Sequence, residues 1–426
     1  MKNQIPRSLP ATLAVLLFAW GLLRADTPPN VVLIFADDIG IETIRAYGGE
    51  YDTPHIDSLA ENGVRFDQGH ATPVCTTSRT RLMVGTYNFK HYKAFAHLDP
   101  DLYTLPHYLK DAGYQTLVSG KWQLSGNGIY GGPGTYPNEA GFDEYFVWQV
   151  DRFLKGSRYW QPTLSDNGKA KTYCEDDFAP TLINDYILDF IDRKQDQPFF
   201  VYYTPVLAHD PWTTTPDSLD AKTTQEKFHG MMTYLDKMVG RVLQKLEEHE
   251  LIDNTLILFI GDNGTHPQIV SERHGKPIAG GKWHTKDSGT HVPFLMQWKN
   301  TLPKGAVRSE LVEVMDVFPT IASAVSQSTP HALDGLNLIP YATGEIDHTR
   351  DWIFMHYDPQ WGSDYFNSPM PAARFIFTTQ WKLYGDNRFY HTARDPLEAH
   401  PLSPETLSGE SLQSYRILKD QFDAMG

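Results

Sequence analysis

The sequence predicts an α/β domain with a large, mostly parallel central sheet flanked by helices, followed by a small C-terminal antiparallel sheet. Three observations predict it. Continuous apolar runs such as Asn30-Val31-Val32-Leu33-Ile34-Phe35 read as strands buried on both faces. Segments with helical spacing separate these runs, and strand–helix alternation gives a parallel sheet covered by helices. After about Tyr341 the pattern changes to short strands joined by tight turns.

Taken in order, 30–35 is the first buried strand and ends in Ala36-Asp37-Asp38. Residues 55–62 read as a short helix stopped by Gly63, and 102–112 as another stopped by Gly113. A strand over 114–119 ends at Gly120-Lys121-Trp122. The stretch 125–141 is rich in Gly and Pro and reads as loop. Residues 179–192 have helical spacing, 198–204 form a strand with His209 beyond it, and 223–250 form a long amphipathic helix. A strand over 255–260 ends in Gly261-Asp262-Asn263-Gly264. A further strand covers 292–298 and a further helix 311–325. The small sheet is expected from 352–357, 374–379, 381–384 and 388–390, with a closing helix near 412–422.

At 426 residues the chain is long enough for one large domain and a small one, divided here as 26–345 and 346–426. A net charge of -15 argues against a general nucleic-acid binder, and an anionic substrate would need local positive charge. The 10 Trp and 22 Tyr suit a carbohydrate surface or an aromatic core equally well. Lys2 and Arg7 make a charged start, 9–23 is apolar but short for a membrane span, and Ala25 offers a small residue for cleavage. A signal peptide over 1–25 is therefore expected. The protein would be exported, periplasmic or extracellular, without integral membrane association; a retained signal anchor is the alternative.

Asp37-Asp38, Lys121, His209 and Asp262-Asn263 each fall just beyond the C-terminal end of an expected strand. In open α/β sheets that edge is where ligands bind. Asp37, Asp38, Asp262 and Asn263 offer hard oxygen donors, which select Ca²⁺ or Mg²⁺. Asp-Asp and Asp-Asn-Gly are also common turn sequences. The stretch from Thr72 to Gly85 reads as a short helix, with Thr76, Thr77 and Ser78 as N-cap residues and Gly85 as its stop. Arg79 lies four residues after Cys75, so both fall on one face at a helix start suited to an anion. Alternatively, Cys75 pairs with Cys174, the only other cysteine, as a disulfide. His266, His274, His284 and His291 match no compact zinc motif, although some are expected to line the pocket.

The stretch beginning at Cys75 resembles the signature of the type I sulfatases, Cys-x-Pro-x-Arg before a short apolar run and Gly. Gly120-Lys121-Trp122 resembles that family's Gly-Lys-Trp, and His209-Asp210-Pro211 its His-x-Pro. Lys282 with Asp287-Ser288-Gly289-Thr290-His291-Val292-Pro293 resembles its second lysine segment, and Tyr390 to Glu398 its closing motif. The resemblance runs from Asn30 to about Pro401. It implies an alkaline-phosphatase-like fold and hydrolysis of sulfate esters, with a sulfated carbohydrate as the expected substrate. It implies that Cys75 is oxidised to formylglycine by a formylglycine-generating or anaerobic sulfatase-maturating enzyme, and that the hydrated aldehyde attacks sulfur. By the same resemblance Asp37, Asp38, Asp262, Asn263 and position 75 hold Ca²⁺ (Mg²⁺ being possible). Arg79 orients the nucleophile, Lys121, Lys282 and His209 bind sulfate, and His209 is the acid.

The sequence departs from the pattern at Thr77, where the family has Pro, and at Asp287, Ser288 and His291, where it has Glu, Gly and Arg. It also departs at Gln123, which lines the substrate position where the family has a histidine base; glutamine takes no proton near neutral pH. His97, His266 and His284 are the candidates to replace that base. Two rival functions remain at this point: a metal-dependent phosphodiesterase or phosphatase on the same fold, and a non-catalytic binder of sulfated glycans.

Overall fold

The computed structural model describes residues 28–126, 132–148, 156–329, 331–358 and 371–426. The expected signal peptide lies outside the described residues, as does part of the 125–141 loop.

The first strand, β1 (Asn30–Ala36), is buried along its whole length. Alternate residues feed opposite layers: Val31, Leu33 and Phe35 join one apolar cluster, Val32, Ile34 and Ala36 the other. This explains why the run is apolar without alternation. Next come α1 (Pro54–Glu61), β2 (Val64–His70), α2 (Cys75–Val84), α3 (Leu105–Asp111), β3 (Gln115–Lys121) and β4 (Glu144–Trp148). A hairpin, β5 (Thr163–Asp166) and β6 (Lys169–Thr172), precedes α4 (Ala179–Lys194), β7 (Phe199–Thr204), α5 (Thr224–Glu248) and β8 (Thr255–Gly261). A second hairpin, β9 (Val270–Arg273) and β10 (Lys276–Ala279), leads to the single turn α6 (Asp287–Thr290). The large domain then completes with β11 (Phe294–Gln297), β12 (Ala306–Glu313), α7 (Val317–Ala324) and α8 (Ile339–Thr343).

The large sheet runs β12-β2-β11-β8-β1-β7-β3-β4-β5-β6. Its centre, β8-β1-β7-β3-β4, is parallel. Strands β11, β5 and β6 pair antiparallel toward the edges. One face is covered by α2, α3 and α7, the other by α1, α4 and α5. The parallel centre brings the ends of β8, β1, β7 and β3 to one edge: Ala36 pairs with Gly261, and Gly120 with Thr204.

A second sheet, β13 (Ile353–Tyr357), β14 (Ala373–Phe377), β15 (Trp381–Tyr384) and β16 (Phe389–His391), is antiparallel throughout and is closed by α9 (Gly409–Ala424). Its apolar face packs on Val74 and Cys75 at the start of α2.

Two expectations are corrected. Residues 311–325 are not one helix. Leu311 and Val312 continue β12 beside Gln68 and Gly69 of β2, and α7 begins at Val317. A short apolar run fits a strand or a helix, and pairing with β2 decides it. The hydroxyl residues 76–78 are also not N-caps. The cap position is Val74, without a side-chain cap, and Cys75 is the first helical residue. The Ser78 hydroxyl instead accepts from the Thr72 N–H at 2.9 Å, tying the preceding loop to the helix. Gly85 does end the helix, in the left-handed conformation at φ 70°.

Candidate active site

The edge where β1, β8, β7 and β3 end carries a dense set of buried charges. Asp37 and Asp38 follow β1, and Asp262 and Asn263 close β8; all four are shut from solvent. Backbone pairing fixes them together, since the Asp262 N–H donates to the Ala36 carbonyl at 2.9 Å. The Asp38 N–H donates to Asp262 Oδ1 at 3.1 Å.

Three cations face these carboxylates. Lys121, the last residue of β3, donates to both oxygens of Asp37 at 2.7 and 2.9 Å. Its approach depends on Gly120, at φ 123°, where a Cβ would run into the Thr204 carbonyl. Arg79 donates to Asp262 Oδ2 at 2.8 Å through Nη2 and at 3.2 Å through Nε, and stands 3.9 Å from Asp37. Lys282 donates to Asp38 Oδ2 at 2.7 Å and reaches His209 Nε2 at 2.9 Å. His209 Nδ1 in turn donates to the Asp210 carbonyl at 2.7 Å, so its Nε2 accepts from Lys282. The loop holding His209 is clamped by the Tyr159 hydroxyl, which donates to the Val206 and His209 carbonyls.

Burial pushes the Asp37 carboxyl up, but Lys121, His209, Arg79 and Lys282 together hold it well below the usual carboxylate range. Asp262 behaves oppositely: burial and the Asp37 charge raise it to about 7, against Arg79 and Lys121. Burial and the Arg158 charge lower His209. Burial also raises the Cys75 thiol, which is therefore not a thiolate at neutral pH.

A metal-ligating arrangement is present. One ligand atom each from Asp37, Cys75 and Asp262 lie within 4.8 Å of one another, and so do atoms from Asp37, Asp38 and His209. The donor set fits a hard cation on two observations. Asn263 is oriented through its Nδ2, which donates to Asp38 and the Gly264 carbonyl at 2.8 and 2.9 Å. Its Oδ1 is buried and has no hydrogen-bond partner among the described residues. And burial, with the Asp37 charge beside it, raises Asp262, a penalty on its charged form that a divalent ion would relieve.

Every residue singled out in the sequence at this edge lies here. Gln123, at φ 56°, lies against the cysteine, with its Oε1 3.6 Å from Cys75 Sγ. The disulfide alternative is not seen: both cysteines are free, Cys75 buried and Cys174 exposed. His266 stands edge-on between Trp212 and Trp283, and its Nδ1 accepts from the Gln268 N–H at 3.2 Å. His291 and Asp287 lie elsewhere, as a pair: Nδ1 meets Asp287 Oδ2 at 3.2 Å and Nε2 the Asp67 carbonyl at 2.8 Å. Burial lowers His291, but the Asp287 charge and the hydrogen bonds to Asp287 and the Asp67 carbonyl together raise it, and these two contacts tie α6 to β2. Those departures are thus a matched exchange within the scaffold. Sequence reasoning missed Tyr159, Arg158 and Trp148; a tyrosine and arginine beside a Gly-Ser turn carry no motif.

The sulfatase family profile matches residues 29–327. The chain is 30% identical to human N-acetylgalactosamine-6-sulfatase over 356 residues, covering 75% of this chain and 67% of that one. It is 26% identical to rat steryl-sulfatase over 519 residues, covering 93% and 89%. Among solved structures, a protein bound to its substrate D-glucosamine-2-N,6-O-disulfate superposes with a TM-score of 0.74 at 18% identity, over 94% and 97% of the two chains. With a profile matched over most of its length and relatives of that kind, the chain belongs to the sulfatase family: it is a sulfuric ester hydrolase on an alkaline-phosphatase-like fold.

Proposed function

We propose that this sulfatase hydrolyses sulfate esters of a carbohydrate, using formylglycine made from Cys75 as nucleophile and a bound Ca²⁺ ion. The observation that carries the reading is the convergence of Cys75, Arg79, Lys121, His209 and Lys282 on one buried edge beside three carboxylates. The carbohydrate follows from the relative named for N-acetylgalactosamine 6-sulfate and the neighbour bound to a glucosamine disulfate.

Asp37, Asp38, Asp262 and the free Oδ1 of Asn263 would hold the ion. When bound, it supplies positive charge that favours an ionised nucleophile and offsets that of the sulfate. Arg79 and Lys121 reach the neighbourhood of position 75 and orient its hydrated aldehyde. One hydroxyl of that diol attacks sulfur, and the bond between sulfur and the sugar oxygen breaks. The sugar oxygen takes its proton from the Lys282–His209 pair, whose nitrogens are 2.9 Å apart. Because burial and Arg158 lower His209, its protonated form is a stronger acid than an ordinary imidazolium. The second diol hydroxyl must then lose its proton to release sulfate and restore the aldehyde. Gln123 cannot take it. Water is the acceptor in this reading, and Gln123 only holds the diol in place.

The reading extends to an exported enzyme with a leader over 1–25 and a maturing enzyme as partner. No helix among the described residues is long and apolar enough to cross a membrane. The test is the mass of the tryptic peptide carrying Cys75, from protein expressed with a sulfatase-maturing enzyme. A loss matching the thiol-to-aldehyde conversion, together with loss of turnover in Cys75→Ala, supports the nucleophile. An unmodified cysteine in a fully active preparation overturns it.

A further inference from the structure

We propose that Arg158, stacked on Trp148, forms a second anion-binding subsite beside the sulfate clamp, taking a carboxylate or a second sulfate on the substrate; this rests on the sulfated-carbohydrate reading above.

Trp148 ends β4 in register with Lys121 of β3, and the Trp122 N–H donates to the Trp148 carbonyl at 3.3 Å. Neighbouring strands lie about 4.8 Å apart, so Trp148 stands one strand outward from the clamp lysine on the same edge. The Arg158 guanidinium lies over its ring at 4.2 Å.

Arg158 is also held in place. Tyr159 is anchored to the Val206 and His209 carbonyls, and the Trp160 indole donates to the Thr214 carbonyl at 2.9 Å. The residues after Arg158 are therefore bound to the very loop that carries His209. Its charge acts on His209 and Asp210, which places it within electrostatic reach of the reaction centre.

The decisive feature is what Arg158 lacks. It makes no ion pair among the described residues, although the chain carries 52 acidic residues. Its Nη1 is buried and has no hydrogen-bond partner among the described residues. The buried Arg79 and Arg81 and the half-buried Arg350, by contrast, all meet carboxylates. A buried donor left without a partner is unfavourable, because it has lost its hydrogen bonds to water. Stacking on an aromatic face returns part of that and pre-orients the fork. A planar guanidinium fixed by stacking matches a carboxylate or sulfate through two parallel hydrogen bonds. A sugar whose sulfate ester occupies the clamp would bring a neighbouring anionic group to this fork.

The test uses the Ca²⁺-loaded full chain with Cys75→Ala, which binds without turnover, with and without Arg158→Ala or Arg158→Lys. Calorimetry compares N-acetylgalactosamine 6-sulfate, N-acetylgalactosamine 4,6-disulfate, and a glucuronate-containing disaccharide bearing the same 6-sulfate. Arg158 is expected to favour at least one doubly anionic probe about tenfold, as one charge-assisted pair would. Arg158→Ala should erase that preference and Arg158→Lys keep part of it. Which probe loses affinity tells sulfate from carboxylate. Equal affinity for all three probes in the parent, or an unchanged preference in Arg158→Ala, overturns the subsite. If the parent binds none of them, crystals soaked in selenate decide. Selenate on Arg158 that is lost in Arg158→Ala supports the subsite, and none there overturns it. Absence of selenate from the Lys121–Lys282 clamp would instead count against the proposed function alone.

Discussion

Arg79 and Arg81 sit two residues apart on α2, and both are buried among carboxylates, yet they serve different ends. Arg79 faces Asp262 and Asp37 at the sheet edge. Arg81 points the other way and meets Glu313 at 3.0 Å and the Phe354 carbonyl at 2.8 Å, in the seam with the C-terminal sheet. Arg350 completes the seam by pairing with Glu313 and Asp316, while Asp316 accepts from the Leu336 N–H at 2.8 Å. In the seam the acidic groups also receive backbone donors and hold two sheets in register. Both places hold buried polar atoms without a hydrogen-bond partner among the described residues, and burial raises a carboxyl in each, Glu313 in the seam and Asp262 at the edge. What sets the edge apart is its donor set, with Asp37, Asp262 and Cys75 able to offer ligand atoms within 4.8 Å of one another and the free amide oxygen of Asn263 nearby.

Four measurements would sharpen or break this contrast. Arg79→Ala should lower kcat about 10²- to 10³-fold while the protein still melts cooperatively, since it removes a positioned cation at developing charge. Near-normal turnover would dissolve the distinction. Arg81→Ala should do the reverse, losing about 3–5 kcal/mol of stability in denaturant titration because Glu313 keeps only one partner. The folded fraction should retain its specific activity. Chelation should remove activity and about 3 kcal/mol of stability, the linkage expected for an ion at 100 times its Kd, and Ca²⁺ should restore both. A chelated enzyme with full activity would end the metal assignment.

The smallest effect concerns His70, which lies in the same seam, stacked on His291 at 4.9 Å and against Phe377 at 4.8 Å. Burial, with the His291 charge, lowers it to about 3. It is neutral when folded, whereas the unfolded chain protonates it near pH 6.5. Its contribution is therefore complete above pH 6.5 and is lost as pH falls toward 3, reaching about 2 kcal/mol by pH 5. His70→Gln should flatten stability over that window without moving the pH profile of kcat.

The central strands were legible because each is buried on both faces, and Asn30 to Ala36 or Thr255 to Gly261 could hardly read otherwise. The outer ones were not. Strand β2 reads Val-Arg-Phe-Asp-Gln-Gly-His, and the β5–β6 hairpin carries Lys169 to Thr172 fully exposed, so neither shows an apolar run. The edge residues were legible because they follow strand ends immediately. Tyr159 and Arg158 were not, because their place depends on carbonyls of a loop nearly 50 residues away in sequence. The Asp287–His291 exchange was visible only as two separate departures until their contact joined them.

Cys75 is 2% exposed, and the wall over it includes Met355, Tyr357, Phe375, Tyr384 and Tyr390. These residues lie far downstream of Cys75 in the sequence and leave the ribosome well after it. Any enzyme that modifies Cys75 therefore works against a clock. Its window opens when residue 75 emerges and closes when the final antiparallel strands dock. Slowing the docking of that small sheet should raise the modified fraction, and hastening it should lower it, with no change at the reaction centre.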